Sequence, residues 1–515
     1  MARSRRDLML LARKITSAAA MLRIHGLSET ADLARIRARE AYVAHRPVPA
    51  DPARRARLLS ATFNRNSLLT AVTVAPDDLA GCRDAVLAPY MRHRFAEAAA
   101  AAGRLATLTP LETAVLADGL LGTWDFAAIA AALPAWTRTV AGTPFARRID
   151  QTGRRAALRL GRLAEAARDI ERIGDDVGSL VLRGDVLDAV GRLDEAGPAY
   201  EAAIGRDGTD PDARQGYAFH LLKRGRIRDG LASWSAADAL LGTYPLRRHR
   251  PHWTGAALGR RRLMVLFEHG LGDMLQVARF LPRLLARAPD ATILGRVPAP
   301  LLGLMARSFP EIRFVSEDAR EPDYDVFVPS MQLAAVLEAE DLAPRGRYID
   351  LGPPAPRPAG DRPRIGICWR GHPRQYEHTR SIPLDTFAAL FGRRDVDFTV
   401  LLNRLTPEEA ARLAREDHVA VPSIRDFVDL AALVASCDLV VSVDTAVVHL
   451  AGAGGAPTLL LSRPDSCWRW GAAGPVGPWY DSVEVLRHDG DMDWPRLLGT
   501  AADRIRARCR APALV

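Results

Sequence analysis

The segment LFEHGLGDMLQ (266–276) joins an apolar run to a second apolar segment through two glycines and an acid. Glycine at Gly270 and Gly272 lets the backbone approach a ligand, and a helix that starts there presents unpaired N–H groups. Asp273 fits two roles: an N-cap, which is the commoner reason for aspartate at a helix start, or a general base directed into a cleft. Three neighbours are further candidates for the lining of that pocket: Glu268, His269 and Gln276.

A second motif is VSVDTAVVHLAGAGG (441–455), where an apolar strand ends in Asp444 and Thr445 and a helix of small residues follows. The helix amides, the Thr445 hydroxyl and the positive end of the helix dipole favour a phosphate. Because Asp444 repels phosphate, a sugar hydroxyl is its more plausible contact. His449, one turn on, fits packing or hydrogen bonding as well as reactivity, and the whole motif also fits an ordinary capped helix.

A third motif is CWRGHPRQYEHTRSIPL (368–384), in which a predicted strand ends in a loop with Arg370, Arg374 and Arg380, followed by Ser381 at a helix start. Arginines at the carboxyl end of a strand, facing another anion site, suit a diphosphate. Near the C-terminus, Trp468 and Trp470 could shape a pocket, although buried aromatics more often belong to a core.

The elements that position these motifs alternate between strand and helix from about residue 255. Strands are predicted at 262–267, 292–297, 312–316, 324–328, 364–369, 397–402, 439–443 and 457–462, and helices at 273–287, 298–308, 384–391, 406–416, 426–436 and 445–453. Such a series indicates parallel sheets covered on both faces. A Pro/Gly-rich linker divides it into two lobes, and ligands of such folds lie at the carboxyl ends of the strands.

The N-terminal half has helical spacing and a repeat. GRLAEA (161–166), GRLDEA (191–196) and GRIRDG (225–230) share one pattern, and the last two begin 34 residues apart. That period, with small residues where helices cross, is typical of tetratricopeptide (TPR) helix pairs, whose concave groove usually binds polypeptide. An unrelated helical bundle is the alternative.

Composition narrows the class of protein. The chain has 515 residues and a formal charge of +9, but only two of its 70 basic residues are lysine and they are interspersed with acids. This indicates a solvated basic surface of a bacterial protein and predicts no nucleic-acid partner. The five dispersed cysteines indicate free thiols in a reducing cytosol. No stretch is apolar for long enough to span a membrane, so we expect a cytoplasmic protein.

Three Asp-x-Asp pairs could hold a divalent cation. They are Asp323/Asp325, Asp395/Asp397 and Asp491/Asp493. The first two fall at the beginnings of predicted strands and the third in a predicted C-terminal tail. We interpret all three as surface acids and predict neither a metal nor another cofactor.

Taken in order, the segment 250–282, WRGHP, TRSIPL, VDTAVVHLAGAGG and SCWRWGAAGPVGPWY resemble bacterial TPR-containing glycosyltransferases related to the ADP-heptose heptosyltransferase family, over about half of the chain. The resemblance implies the two-lobed GT-B fold and metal-independent, inverting transfer from a nucleotide sugar. It implies Asp273 as general base, Arg380 as a diphosphate contact, and Asp444, Thr445 and the amide of Ala446 as contacts to donor sugar and phosphate. Relatives often have glutamine where this chain has His269.

The predicted organisation is an all-α region followed by two Rossmann-like lobes. The regions are helical 1–148, TPR-like 149–248, N-terminal lobe 249–352, linker 353–363 and donor-binding lobe 364–515. We expect the TPR-like groove to recruit a protein acceptor, flagellin being one candidate by resemblance, for transfer to serine or threonine. Two alternatives are a lipopolysaccharide-core transferase and a catalytically inert scaffold. A transferase for a small glycan should still act after deletion of residues 1–245.

Overall fold

The computed structural model describes residues 48–63, 69, 72–241, 250–339, 346–356, 362–371, 377–465, 467–475 and 477–510. Its first half is helical: α1 (Pro52–Phe63), α2 (Asp84–Met91), α3 (Phe95–Ala102), α4 (Pro110–Gly122), α5 (Phe126–Thr139), α6 (Ala146–Arg159), α7 (Leu163–Ala167), α8 (Val177–Ala189), α9 (Leu193–Arg206), α10 (Pro211–Lys223) and α11 (Ile227–Leu241). Parts of the two predicted helical regions, 1–47 and 242–248, lie outside the described residues.

Helices α8 to α11 pack on one another in chain order. The glycines that open the repeated hexapeptides lie in the turns between helices, and Gly191 and Gly225 have φ of +80° and +78°, where L side chains are strained. Gly184 and Gly216 lie against the ring of Tyr200. A Cβ on Gly184 would lie 2.7 Å from that ring, and a Cβ on Gly216 would lie 2.5 Å from it. Helix pairs with glycine turns and close crossings are thus present, and their classification as TPR repeats stays a prediction.

The N-terminal lobe contains one parallel sheet in the order β3-β2-β1-β4. Its strands are β1 (Arg262–Leu266), β2 (Thr292–Val297), β3 (Arg313–Ser316) and β4 (Val326–Pro329), and its helices are α12 (Leu271–Val277), α13 (Leu281–Arg287), α14 (Ala299–Ser308) and α15 (Leu333–Val336). A 3-10 turn, Ala278–Phe280, divides the predicted helix 273–287. Pro282 follows that turn, and since proline has no N–H it cannot donate to the carbonyl four residues back.

The second lobe contains a parallel sheet in the order β10-β9-β8-β5-β6-β7. Its strands are β5 (Arg364–Cys368), β6 (Asp397–Val400), β7 (Val419–Ala420), β8 (Leu439–Val443), β9 (Thr458–Leu461) and β10 (Val483–Leu486), and its helices are α16 (Glu377–Arg380), α17 (Leu384–Phe387), α18 (Pro407–Leu413), α19 (Phe427–Ala435), α20 (Ala446–Ala453) and α21 (Trp494–Arg510). Strands β7 and β10 and helix α21 were not predicted. The predicted C-terminal tail is instead an amphipathic helix that buries Trp494, Leu498 and Ile505.

The lobes and the last helix pair share one hydrophobic core. It includes Trp234 of α11, Val265 of β1, Leu275 of α12, Val448 of α20 and Trp468 of the loop after β9. The core fixes α12 against α20, which brings the carboxyl ends of β1 and β8 together. Within the described residues, no helix is both long and apolar enough to cross a membrane.

Candidate active site between the two lobes

Asp273 is the third residue of α12, just past the carboxyl end of β1. Its Oδ2 accepts a hydrogen bond of 2.9 Å from the amide of Gly270, so Gly270 is the N-cap residue and Asp273 bonds back to it. Its Oδ1 forms an ion pair with Nη2 of Arg469, in the loop after β9 of the opposite lobe. Asp273 therefore caps its own helix with one oxygen and faces the second lobe with the other.

The charge on Asp273 is set by opposing effects. Burial alone would raise the pKa of its carboxyl, but the nearby Arg469, with smaller contributions from His449 and the Gly270 amide, holds that pKa below its ordinary value. The same guanidinium donates through Nε to Oε1 of Gln276 at 3.1 Å. Asp273 is thus a carboxylate at neutral pH, and Gln276 helps to orient its partner.

Gly272 is the point where the two lobes touch. A Cβ there would lie 2.6 Å from Cδ2 of His449 and 3.4 Å from Cα of Ala446. The predicted role of this glycine was close approach to a ligand. In the structure the space beside its Cα is taken by the facing helix α20.

His449 is enclosed by aromatic side chains. Its Nδ1 is 2.9 Å from the hydroxyl of Tyr480, and its ring stacks on Trp470 at 5.2 Å between centroids. Burial lowers the pKa of His449 to about 4, although the carboxylate of Asp444, 3.8 Å from Nε2, opposes that shift. A neutral, enclosed imidazole favours the packing role for His449, and the stacking favours a core role for Trp470.

Thr445 is the N-cap of the eight-residue helix α20, its hydroxyl accepting from the amide of Val447 at 3.3 Å. The same oxygen lies 3.5 Å from Sγ of Cys368, the last residue of β5. The carboxyl ends of β5 and β8 thus meet at the Asp444-Thr445 turn, where the sequence predicts contacts to sugar and phosphate.

The arginine loop after β5 is used differently from the prediction. Arg370 binds both carboxylate oxygens of Glu409 at 2.7 Å and the carbonyl of Arg404 at 2.7 Å. This geometry argues against the predicted contact of Arg370 with a donor diphosphate, because its guanidinium is engaged within its own lobe. Arg380 instead lies over Gly371, and its Nη2 is 2.8 Å from the position that a Cβ on Gly371 would take. Arg374 lies outside the described residues.

Beside this loop is a cavity of about 570 Å³ at the carboxyl end of β5. Its lining includes Trp369, Arg370, Ser381, Glu409 and Trp494. Ser381 also accepts a hydrogen bond of 3.3 Å from the amide of Gly371. Ser381, which was predicted to bind the nucleotide-sugar donor, therefore faces a cavity large enough for part of a small ligand.

Two of the predicted pocket residues have structural contacts. The carboxylate of Glu268 accepts bonds of 3.0 Å and 3.2 Å from the amides of Ser330 and Met331, which anchors the turn after β4. His269 has φ of +71° and its ring lies 5.5 Å from that of Trp234. Glu268 thus fixes two strand ends together, and His269 connects the acid-bearing turn to α11.

The last helix pair supports the loop that carries Arg469. Phe219 of α10 stacks on Trp468 at 6.3 Å, and Trp234 meets the same ring edge-on at 5.8 Å. Activity on a small glycan after deletion of residues 1–245 stays a prediction, but the deletion would remove side chains that pack in the core of the lobes. Such a deletion removes two of the aromatic neighbours of Trp468, leaving Trp479, and exposes part of the shared core.

Residues 398–492 match the family described as glycosyltransferase family 9 (heptosyltransferase). The match is confined to the second lobe. The match contains the Asp444-Thr445 turn, His449 and Arg469. Asp273 lies before the matched segment, in the facing lobe.

The chain is also similar to three known proteins. Protein FlbA of Caulobacter vibrioides is 26% identical over 354 residues, which cover 62% of this chain and 59% of FlbA. E. coli heptosyltransferase WaaC with ADP-2-deoxy-2-fluoro heptose is 14% identical, with 48% of this chain and 99% of that chain covered and a TM-score of 0.36. The glycosyltransferase TibC from enterotoxigenic E. coli is 15% identical, with 49% and 77% covered and a TM-score of 0.35.

The matched segment also contains Arg469, which was not among the candidate residues predicted from the sequence. Arg469 stands within the quoted motif SCWRWG, yet only its two tryptophans were candidates. An arginine that follows β9 must lie at the carboxyl edge of a parallel sheet, and that position was a usable signal. Its partner, 196 positions earlier, was not readable from the chain.

The Asp-x-Asp pairs lie away from this site or have other contacts. Asp325 pairs with Arg262 at the amino end of β1, and Asp395 with its neighbour Arg393, as strand-start acids should. Asp493 is exposed, as expected of a surface acid, and accepts the amide of Arg496 at 3.1 Å at the start of α21. Among the described residues, no group of three or more His, Cys, Asp or Glu side chains could hold a metal ion.

Proposed function

We propose that the protein transfers a sugar from a nucleotide-sugar donor to a serine or threonine hydroxyl of a protein acceptor, with inversion and without a metal ion. The observation that carries the proposal is that Asp273 lies beside the helix start in the segment that matches family 9, because a Cβ on its neighbour Gly272 would lie 3.4 Å from Cα of Ala446. A base and an anion-binding helix terminus then face one reacting centre. The nucleotide sugar is a co-substrate, and no cofactor is needed.

In the proposed reaction Asp273 takes the proton of the acceptor hydroxyl as the oxygen attacks the anomeric carbon. The new C–O bond forms while the bond from that carbon to the donor phosphate breaks, and the nucleoside diphosphate leaves with the electron pair. Its growing charge is stabilised by the N-terminus of α20, the Thr445 hydroxyl and Arg380. The base contributes roughly 100- to 10,000-fold to the rate.

A protein acceptor is supported by the way the helices meet the transferase lobes. The turn at Gly161 approaches Met492 of the donor-binding lobe, whose amide bonds to its carbonyl at 3.3 Å, and Ala164 donates to Asp491 at 3.1 Å. The helical region therefore lies against the lobe that would hold the donor. A polypeptide bound along these helices is delivered to the same edge, and flagellin is the first acceptor to test.

Donor binding is tested by thermal shift of the full-length protein with a panel of nucleotide sugars. A ligand present at about 100 times its Kd adds roughly 2.7 kcal/mol to the stability of the state it binds, which is readily seen as a raised midpoint. A panel without any effect would contradict the proposal.

The role of Asp273 is tested by Asp273→Asn, with Asp503→Asn on the exposed face of α21 as matched control. The substituted amide keeps the shape of the carboxylate but cannot accept the proton, so kcat should fall by about 100-fold or more while donor binding persists. The control should retain wild-type turnover. Equal turnover of both variants and wild type would exclude Asp273 as the base.

A second function, transfer to a lipopolysaccharide-core acceptor, agrees equally with the family description. The two are separated by offering the full chain a labelled donor together with either bacterial protein extract or purified core oligosaccharide. Label in acid-precipitable, protease-sensitive material supports a protein acceptor, whereas label in the oligosaccharide alone supports the second function. The full chain is required because the last helix pair belongs to the core of the lobes.

A further inference from the structure

Arg469 connects the proposed base to the opposite lobe. It follows β9, and its guanidinium crosses to Asp273 and Gln276 of α12, with 15% of its side chain exposed. Its flat face lies 4.2 Å from the ring of Trp468. A cation thus occupies the oxygen of Asp273 that faces the other lobe.

This pairing conflicts with the chemistry that Asp273 has to perform. A carboxylate that accepts from a guanidinium is stabilised as an anion, which lowers its pKa and weakens it as a base. The acceptor hydroxyl and Arg469 would also compete for the same Oδ1 atom. General-base catalysis therefore requires Arg469 to leave Asp273 before the acceptor proton is transferred.

The surroundings of Arg469 indicate what draws it away. Burial lowers the pKa of its guanidinium, but the carboxylate of Asp273, with smaller contributions from Cys467 and Asp444, more than offsets that effect and raises the pKa. Its partner Asp273 follows Gly272, on which a Cβ would lie 3.4 Å from Cα of Ala446, so Arg469 lies close to the start of α20. A diphosphate bound there carries more charge than one carboxylate and binds a guanidinium bidentately.

The side-chain amide of Gln276 provides a second hydrogen-bond donor beside Arg469. Gln276 is fully buried, its Oε1 accepts from Arg469, and its Nε2 has no hydrogen-bond partner within the described part of the chain. An unsatisfied buried amide is costly. A hydrogen bond to an oxygen of the donor phosphate or sugar would satisfy it.

We propose that Arg469 is a positioning residue that responds to the nucleotide-sugar donor. Without donor, its guanidinium stays paired with the carboxylate of Asp273. When the donor binds, its diphosphate draws the guanidinium away and leaves the carboxylate available to the acceptor. This inference rests on the proposed function. After transfer the nucleoside diphosphate leaves, Arg469 returns to Asp273, and the proton taken from the acceptor passes to water. The base is thereby reset for the next turnover.

The test is a double-variant cycle on the binding of ADP and UDP, measured by titration calorimetry with the full-length protein. Asp273→Asn removes the competitor for the guanidinium, so the tighter-binding nucleotide should bind about tenfold more tightly than to wild type. Arg469→Gln should weaken binding by about tenfold or more. In the double variant the gain from Asp273→Asn should disappear.

The cycle separates competition from simple repulsion. If the Asp273 charge only repels the diphosphate, Asp273→Asn tightens binding equally with and without Arg469, and the inference is overturned. No effect of Asp273→Asn would overturn it too. If wild type binds neither ADP, UDP nor any other nucleoside diphosphate, the proposed function fails together with the inference.

A pH profile distinguishes positioning from a purely structural role. Without the guanidinium the pKa of Asp273 rises, so the acidic limb of kcat/KM for Arg469→Gln should move to higher pH, whereas Arg469→Lys, which keeps the charge, should retain the wild-type limb. Thermal midpoints establish that both variants are folded. An unmoved limb in folded Arg469→Gln would overturn the proposal.

Discussion

Gly272→Ala adds a single methyl group at the place where α12 touches α20. The new Cβ would lie 2.6 Å from Cδ2 of His449, about 1 Å inside the usual carbon contact distance of roughly 3.5–4.0 Å. His449 cannot turn aside, because Trp470 stacks on its ring and Tyr480 holds its Nδ1. The lobes must therefore separate locally or the aromatic cluster must rearrange.

The magnitude follows from overpacking and from geometry. An added methyl group in a closely packed core typically costs about 1–3 kcal/mol, and we expect the free energy of unfolding to fall by that amount. A shift of roughly 1 Å between a base and its reacting atom can lower the rate about 100-fold. Turnover should thus suffer more than stability, since Asp273 is the next residue along the chain.

The assay combines chemical denaturation with sugar-transfer kinetics. The matched control is Gly499→Ala in the exposed part of α21, where a Cβ meets nothing within 4 Å. That change should raise stability by about 0.4–1 kcal/mol through the unfolded state and leave turnover unchanged. His449→Ala combined with Gly272→Ala should cost less than the sum of the two single changes. Wild-type stability and turnover of Gly272→Ala would refute the close contact of the lobes.

Three further predictions concern stability. Asp118→Ala leaves buried Arg148 without the carboxylate that it contacts at 2.6 and 2.9 Å, and chemical denaturation should show a loss of about 3–5 kcal/mol. Trp234→Ala should cost about 3–5 kcal/mol by the same assay and lower turnover, because it empties part of the shared core, whereas Trp124→Ala, at a ring that is 47% exposed, should stay within roughly 0.5 kcal/mol of wild type. His449 has a pKa of about 4 in the folded protein and an ordinary value near 6.5 when unfolded, so its contribution to stability is present above pH 6.5 and is lost as pH falls towards 4. Wild type should lose about 2 kcal/mol through this group between pH 7 and pH 5, and denaturation of His449→Gln at both values should lack that part of the loss.

Most strands were predictable because buried parallel strands are short apolar runs bounded by turn residues. The predicted 292–297 and 439–443 coincide with β2 and β8. Strand β10 was not predicted because Glu484 interrupts a run of only four residues. Helix α21 was not predicted because its apolar residues are spaced among many arginines. A helical period counted over 494–505 would have found it.

The site was predictable only as far as local sequence reaches. The strand-to-helix turns at Asp273 and Thr445 follow from apolar runs that end in polar residues. The partners of Arg370 and Arg469 depend on how distant segments fold together, since Glu409 and Asp273 stand 39 and 196 positions away. For that reason the sequence placed Arg370 at the donor and overlooked Arg469.

The shared core also decides where this protein could be re-engineered. Helices α10 and α11 belong with the lobes because Phe219 and Trp234 pack against Trp468, whereas α1 to α6 contribute to a separate core. A chimaera that borrows a different recognition array should therefore be spliced upstream of Pro211. A graft joined downstream of Leu241 would lack Phe219 and Trp234, the two rings that pack on the loop carrying Arg469.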